Sequence, residues 1–114
     1  MKVDYSHYWF EENSSRFTEW FDPETFDWTS SYFLAEYCYN VLDKWFDANK
    51  FNYTYSYFLA RYCPEHFNKW FDAEKFDWFD CYYLVEYCLK YIDIWYDPDR
   101  FEESYDELLI ESIK

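Results

Sequence analysis

Trp20, Trp45, Trp70 and Trp95 stand 25 residues apart, and each opens a version of one phrase: WFDPETFDW, WFDANKFNY, WFDAEKFDW and WYDPDRFEE. A fixed period constrains a fold more than any single motif. Each unit has to bury its apolar residues against a copy of itself, which predicts a stack of like layers. Aligned on Trp20, the chain gives a Phe column (Phe26, Phe51, Phe76, Phe101) and a Leu column (Leu34, Leu59, Leu84, Leu109). Before each Trp stands an apolar residue (Phe17, Leu42, Phe67, Ile92), and a Tyr-Cys pair recurs at Tyr37-Cys38, Tyr62-Cys63 and Tyr87-Cys88.

The ends depart from the pattern toward polarity, as units facing water do. Glu12 and Asn13 replace the first Tyr-Cys pair; Glu103 and Ser112 replace the last Trp28-column and Tyr37-column residues. The expectation is one domain over 1–114. It comprises an N-terminal capping unit 1–19, repeats 20–44, 45–69 and 70–94, and a C-terminal capping unit 95–114.

Within a unit the period is helical. Cys81, Leu84, Val85 and Cys88 fall at i, i+3, i+4 and i+7. Asp27, Asn52 and Asp77 are N-cap residues. They predict a first helix over 28–38, 53–62 and 78–88. Pro64 fits the opening of a second helix, over 40–46, 65–71 and 90–96. Asp22-Pro23-Glu24 and its counterparts start one short turn that ends near the Phe column. No strand-like alternation persists. The fold class is therefore all-α, a short-helix tandem-repeat solenoid.

Composition narrows function by exclusion. The chain contains no glycine, where ordinary usage would supply about eight. Phosphate loops, dinucleotide fingerprints and nucleophile elbows all require it. His7 and His66 have no partner at a spacing suited to a nucleophile and base. Cys63 and His66 form one Cys-x-x-His without a second pair, so zinc is not expected. The Asp22, Asp47, Asp72 and Asp97 column reads as capping, since carboxylates one layer apart do not converge on a cation. The expectation is a protein that is not an enzyme, with no cofactor and no metal.

The surplus of rings points elsewhere. Aromatics make up 31% of the chain, more than the Trp20, Phe26 and Leu34 columns need for a core. Trp28, Tyr53 and Trp78, with Tyr32, Tyr57 and Tyr82, form candidate binding columns, because Tyr and Trp are enriched at binding faces. The net charge is -14, from 24 acidic and 10 basic residues. Such a surface repels nucleic acid and anionic membrane and attracts basic protein. Asp97, Asp99, Glu102, Glu103, Asp106 and Glu107 concentrate acid at one end, and Glu11 to Asp27 at the other. Both are candidate docking patches. No apolar N-terminal run marks a secretory signal and none is long enough to span a bilayer, so a cytoplasmic location is expected.

The phrases WFDPETFDW (20–28) and YCPEHFNKWFDAEKFDW (62–78) resemble aromatic-acidic tandem-repeat proteins of phage, large-virus and bacterial origin. The resemblance covers about residues 20–101; Tyr39 and Leu89 replace the proline that only Pro64 keeps. It implies a viral or mobile-element context and carries no assigned activity. In that context the expected role is inhibition of a host nucleic-acid-targeting factor by mimicry of nucleic acid. The alternatives are sequestration of a nucleotide or other planar ligand in aromatic pockets, and a structural assembly module, with self-association possible.

Overall fold

The computed structural model describes residues 1–101, Tyr105 and 109–111. Among these every regular element is helical and there is no strand. The α-helices are α1 (His7–Asn13), α2 (Phe17–Trp20), α3 (Tyr32–Tyr37), α4 (Leu42–Trp45), α5 (Tyr57–Tyr62), α6 (Phe67–Trp70), α7 (Tyr82–Tyr87) and α8 (Ile92–Trp95). A single 3₁₀ turn precedes each helix from α2 onward, for example Trp28–Ser30 before α3 and Tyr39–Val41 before α4. Helices α1, α3, α5 and α7 pack in sequence order, each on the next. The body is elongated, 47 × 24 × 21 Å. Its radius of gyration of 15.2 Å exceeds the roughly 13 Å of a compact chain of this length.

The helices are shorter than periodicity alone suggests. The stretch 28–38 is divided: a 3₁₀ turn closes at Ser30, and α3 begins at Tyr32. The stretches 53–62 and 78–88 divide in the same way at Ser56 and Cys81. Hydrogen bonds at the junction run i to i+3: Ser31 donates to Trp28 and Leu34 to Ser31. The predicted caps hold, but on the 3₁₀ turns. The side chains of Asp27, Asn52 and Asp77 accept from the amides of Thr29, Thr54 and Phe79 at 3.1–3.2 Å. Pro64 opens the turn Pro64–His66, as its fixed φ favours. The Asp22 column forms turns rather than helices. Asp22 Oδ1 accepts from Glu24 N, and Phe26 N returns to Asp22 O.

Without glycine the helices need another way to satisfy their last carbonyls. Tryptophan supplies it. The indole N–H of Trp45, Trp70 and Trp95 donates to the carbonyl of Cys38, Cys63 and Cys88 at 2.7–2.8 Å. Trp20 does the same to Asn13. One residue thereby fills the core and ends the helix. Trp20, Trp45, Trp70 and Trp95 are all buried, with the Phe26 and Leu34 columns around them. In the column of residues that precede each Trp by three, Phe17, Leu42 and Phe67 are buried, whereas Ile92 is half-buried.

Polar contacts join residues far apart in the chain. Ser31 and Ser56 are 0% exposed. Their hydroxyls accept from the backbone amides of Asn52 and Asp77 at 2.9 Å. At the first junction the Tyr5 hydroxyl takes this place and accepts from Asp27 N at 2.7 Å. The thiols of Cys63 and Cys88 point at the carbonyls of Ala35 and Ala60, 3.6 Å away. Asn13, in their column at the N-terminal end, turns its amide back to Trp9 O instead.

Candidate functional site

Two sets of rings run along the body, and their surroundings differ. In the first set, Trp28, Tyr53 and Trp78 are half-buried and their polar atoms are engaged at home. Trp28 and Trp78 donate to the carbonyls of Pro23 and Ala73 at 3.0 and 2.9 Å. The Tyr53 hydroxyl donates to Trp70 O at 2.8 Å, and burial pushes its phenol well above the ordinary range. Phe26 and Phe76 stand edge-on to the two indoles at 5.5 Å.

A lysine 22 residues further along the chain lies over two of these rings. Lys50 Nζ lies 5.8 Å from the Trp28 ring and Lys75 Nζ 5.7 Å from the Tyr53 ring. Lys75 also donates to Ala48 O at 2.9 Å. Arg100, in the same column, donates to Ala73 O and pairs with Glu74. Thr25 occupies this column at the N-terminal end. The column Lys50, Lys75, Arg100 escaped sequence reasoning, although its sign and spacing were visible. Lys50 and Lys75 thereby hold Trp28 and Tyr53 from a second side.

The second set is a connected ladder on α3, α5 and α7. Tyr32 contacts Phe58 at 5.1 Å, and Tyr57 contacts Tyr83 at 5.0 Å. Neighbours on one helix complete the zigzag: Tyr57 with Phe58 at 4.8 Å and Tyr82 with Tyr83 at 5.5 Å. Tyr82 continues to Tyr105 at 5.8 Å. Tyr55 and Tyr87 on this face are exposed, and Tyr32, Tyr57, Tyr62 and Tyr82 half-buried. The Tyr32 column was expected here. The intervening Phe33, Phe58, Tyr83 column was not, although it too repeats at the same spacing.

Carboxylates stand among these rings. Glu36 Oε1 accepts from the Tyr62 hydroxyl at 3.3 Å. Its Oε2 is buried and accepts no hydrogen bond, with His7 Nδ1 3.5 Å away. His7 Nδ1 also lies 3.0 Å from the Tyr37 hydroxyl. Burial, and then the adjacent Glu36 charge, pushes the Tyr37 and Tyr62 phenols up. Burial, and then Asp77, pushes the Asp80 carboxyl up. Asp80 adds to the upward push that burial exerts on Tyr57. The hydrogen bond that the Tyr82 hydroxyl donates to Glu86 raises the Tyr82 phenol.

Of the acidic end patch, Asp97 and Asp99 are described. Asp97 turns its carboxylate to Asp99 N at 2.9 Å and stands 3.6 Å from Arg100 Nε; Asp99 is exposed. Glu102, Glu103, Asp106, Glu107 and Ser112 lie outside the described residues. Cys38, Cys63 and Cys88 carry free thiols that are at most 1% exposed, and burial pushes each up to about 12. Such thiols are poor nucleophiles and poor metal ligands. Among the described residues no three metal-ligating side chains converge, and no helix is long and apolar enough to cross a membrane.

Comparison with protein-family models, with curated proteins and with solved structures finds no match.

Proposed function

We propose that the chain is a tandem-repeat solenoid of 25-residue layers that acts by binding, as an acidic rod occupying a basic protein surface in place of nucleic acid. Linear charge density carries this reading. Among the described residues 20 acids against 9 bases leave a net -11 along 47 Å, one elementary charge per about 4.3 Å against about 3.4 Å along one DNA strand. Duplex DNA carries about twice the density of one strand.

The distribution of cations adds to it. Lys69 pairs with Asp43, Arg16 with Glu19 and Arg100 with Glu74. Lys50, Lys75, Arg61 and Lys90 lie over rings of the chain itself. Seven of the nine described basic residues are thus engaged by carboxylates or rings of the chain itself. A rigid row of carboxylates competes with phosphates for Lys and Arg through the same long-range field. In a viral or mobile-element setting the target would be a host nucleic-acid-targeting factor.

Displacement tests the proposal. A basic nucleic-acid-binding domain is loaded with a fluorescent duplex and titrated with the protein at about 50 mM and about 200 mM salt. Release of duplex at low salt, weakening at least tenfold at the higher salt, is expected. No release at low salt, or release indifferent to salt, would reject the proposal.

A further inference from the structure

The geometry points to the tyrosine face of α3, α5 and α7 as a surface for arginine side chains, carried on an extended segment of a basic partner. This rests on the acidic-rod reading and adds where the contact is made and which cation it selects.

The face is open where Trp28 and Tyr53 in the other ring column are covered by Lys50 and Lys75. On the tyrosine face, Arg61 lies 5.1 Å from the Tyr62 centroid, and no cation covers Tyr32, Tyr57 or Tyr83 among the described contacts. Arg61 also displays the mode of binding, a guanidinium laid on a tyrosine.

Charge selects the occupant. Asp80 stands beside Tyr57 without an ion-pair partner among the described residues, held up by burial and by Asp77. Glu36 is already taken up from within, its Oε1 by the Tyr62 hydroxyl and its buried Oε2 facing His7 Nδ1 at 3.5 Å, so Asp80 is the carboxylate left for a partner. An incoming cation offsets the Asp80 charge, whereas a neutral or acidic partner does not. Arginine suits the site better than lysine. Its planar fork stacks on a ring and donates to a neighbouring carboxylate at once, which a point-like ammonium does not.

Spacing selects the form of the segment. The 47 Å length divided among the 25-residue periods of 114 residues gives about 10 Å per layer, a normal helix packing distance. Three residues of polyproline II make one turn of about 9 Å and bring every third side chain back to the same face. An arginine at every third residue therefore meets successive layers.

Labelled peptides of four Arg-Ser-Ser repeats, four Lys-Ser-Ser repeats, and the same arginines in one block test this by fluorescence anisotropy. The spaced arginine peptide is expected to bind the tightest, by about threefold or more over the lysine peptide. Tyr57→Leu and Asp80→Asn should each weaken it about fivefold, while Tyr57→Phe, which keeps the ring, should not. Circular dichroism confirms folding. If Tyr57→Leu is unfolded, Asp80→Asn and the peptide ranking decide. Equal binding of the three peptides overturns the inference, as does indifference to Asp80→Asn. A dimer in sedimentation that Tyr57→Leu dissociates also overturns it, since a second copy would then own the face. Salt-sensitive duplex displacement without arginine preference sinks this inference alone. Absence of both sinks it together with the acidic-rod reading.

Discussion

The buried cysteine column makes folding sensitive to alkali in a way that can be sized. Cys38, Cys63 and Cys88 are pushed from an ordinary 9.0 up to about 12 because burial disfavours the thiolate. A group raised on folding adds stability that is complete below its unfolded pKa and is lost as pH rises toward the folded one. The window therefore runs from 9 to about 12. At pH 8 the loss is negligible. At pH 10 each unfolded thiol is mostly ionised while its folded counterpart is not, which costs about 1.4 kcal/mol per site by linkage. Three sites together lose about 4 kcal/mol, a melting temperature lower by about 15 °C for a chain of this size. Thermal melts followed by circular dichroism at pH 8, 9 and 10 measure it. Replacing the three cysteines with alanine should remove most of the loss, leaving the smaller part that the raised phenols of Tyr37, Tyr53, Tyr57 and Tyr62 add as pH nears 10, and Cys63→Ala alone should remove about a third of the cysteine part. A wild-type melting temperature that is constant from pH 8 to 10 would refute the burial argument.

The buried contacts give further outcomes. Ser56→Ala strands the Asp77 amide that the hydroxyl accepts and should cost about 1–3 kcal/mol in urea unfolding; a change below a few tenths would show the tie to be idle. Trp70→Phe keeps a ring but removes the donor to Cys63 O and part of the buried volume, for about 2 kcal/mol or more, read from the same urea curves. Leu59 is 0% exposed, so Leu59→Asp buries an unpaired charge and should abolish the folded signal in circular dichroism. A cooperative melt from that variant would contradict the placement of the Leu column in the core.

The core was legible from the sequence because a 25-residue column of bulky apolar residues has few other uses. Trp20, Phe26 and Leu34 and their counterparts are where the pattern put them. The caps were legible too, because Asp and Asn before a helical run have a specific bond to make. Serine and lysine columns were harder. Ser31 and Ser56 look like surface residues by type, yet each is buried on an amide 21 residues away. Lys75 and Arg100 look like solvated charge, yet both reach carbonyls 27 residues earlier. Their message lay in the column, not in the residue type. The divided helices at Ser31 and Ser56 were not legible, since a 3₁₀ turn and an α-turn share nearly the same apolar spacing. For the candidate site, the sequence named both ring sets, and only the structure separates one in which Lys50 and Lys75 cover Trp28 and Tyr53 from one left open.

The central claim is that this rod presents the charge of a nucleic-acid strand to a basic surface, and its salt response is the direct measure. The logarithm of affinity for one basic nucleic-acid-binding domain is plotted against the logarithm of salt, for the protein and for a single strand of about 14 nucleotides, which matches its length at 3.4 Å per charge. The account expects a steep negative slope, within about a factor of two of the oligonucleotide's. A slope near zero, with the oligonucleotide's slope intact, would contradict it.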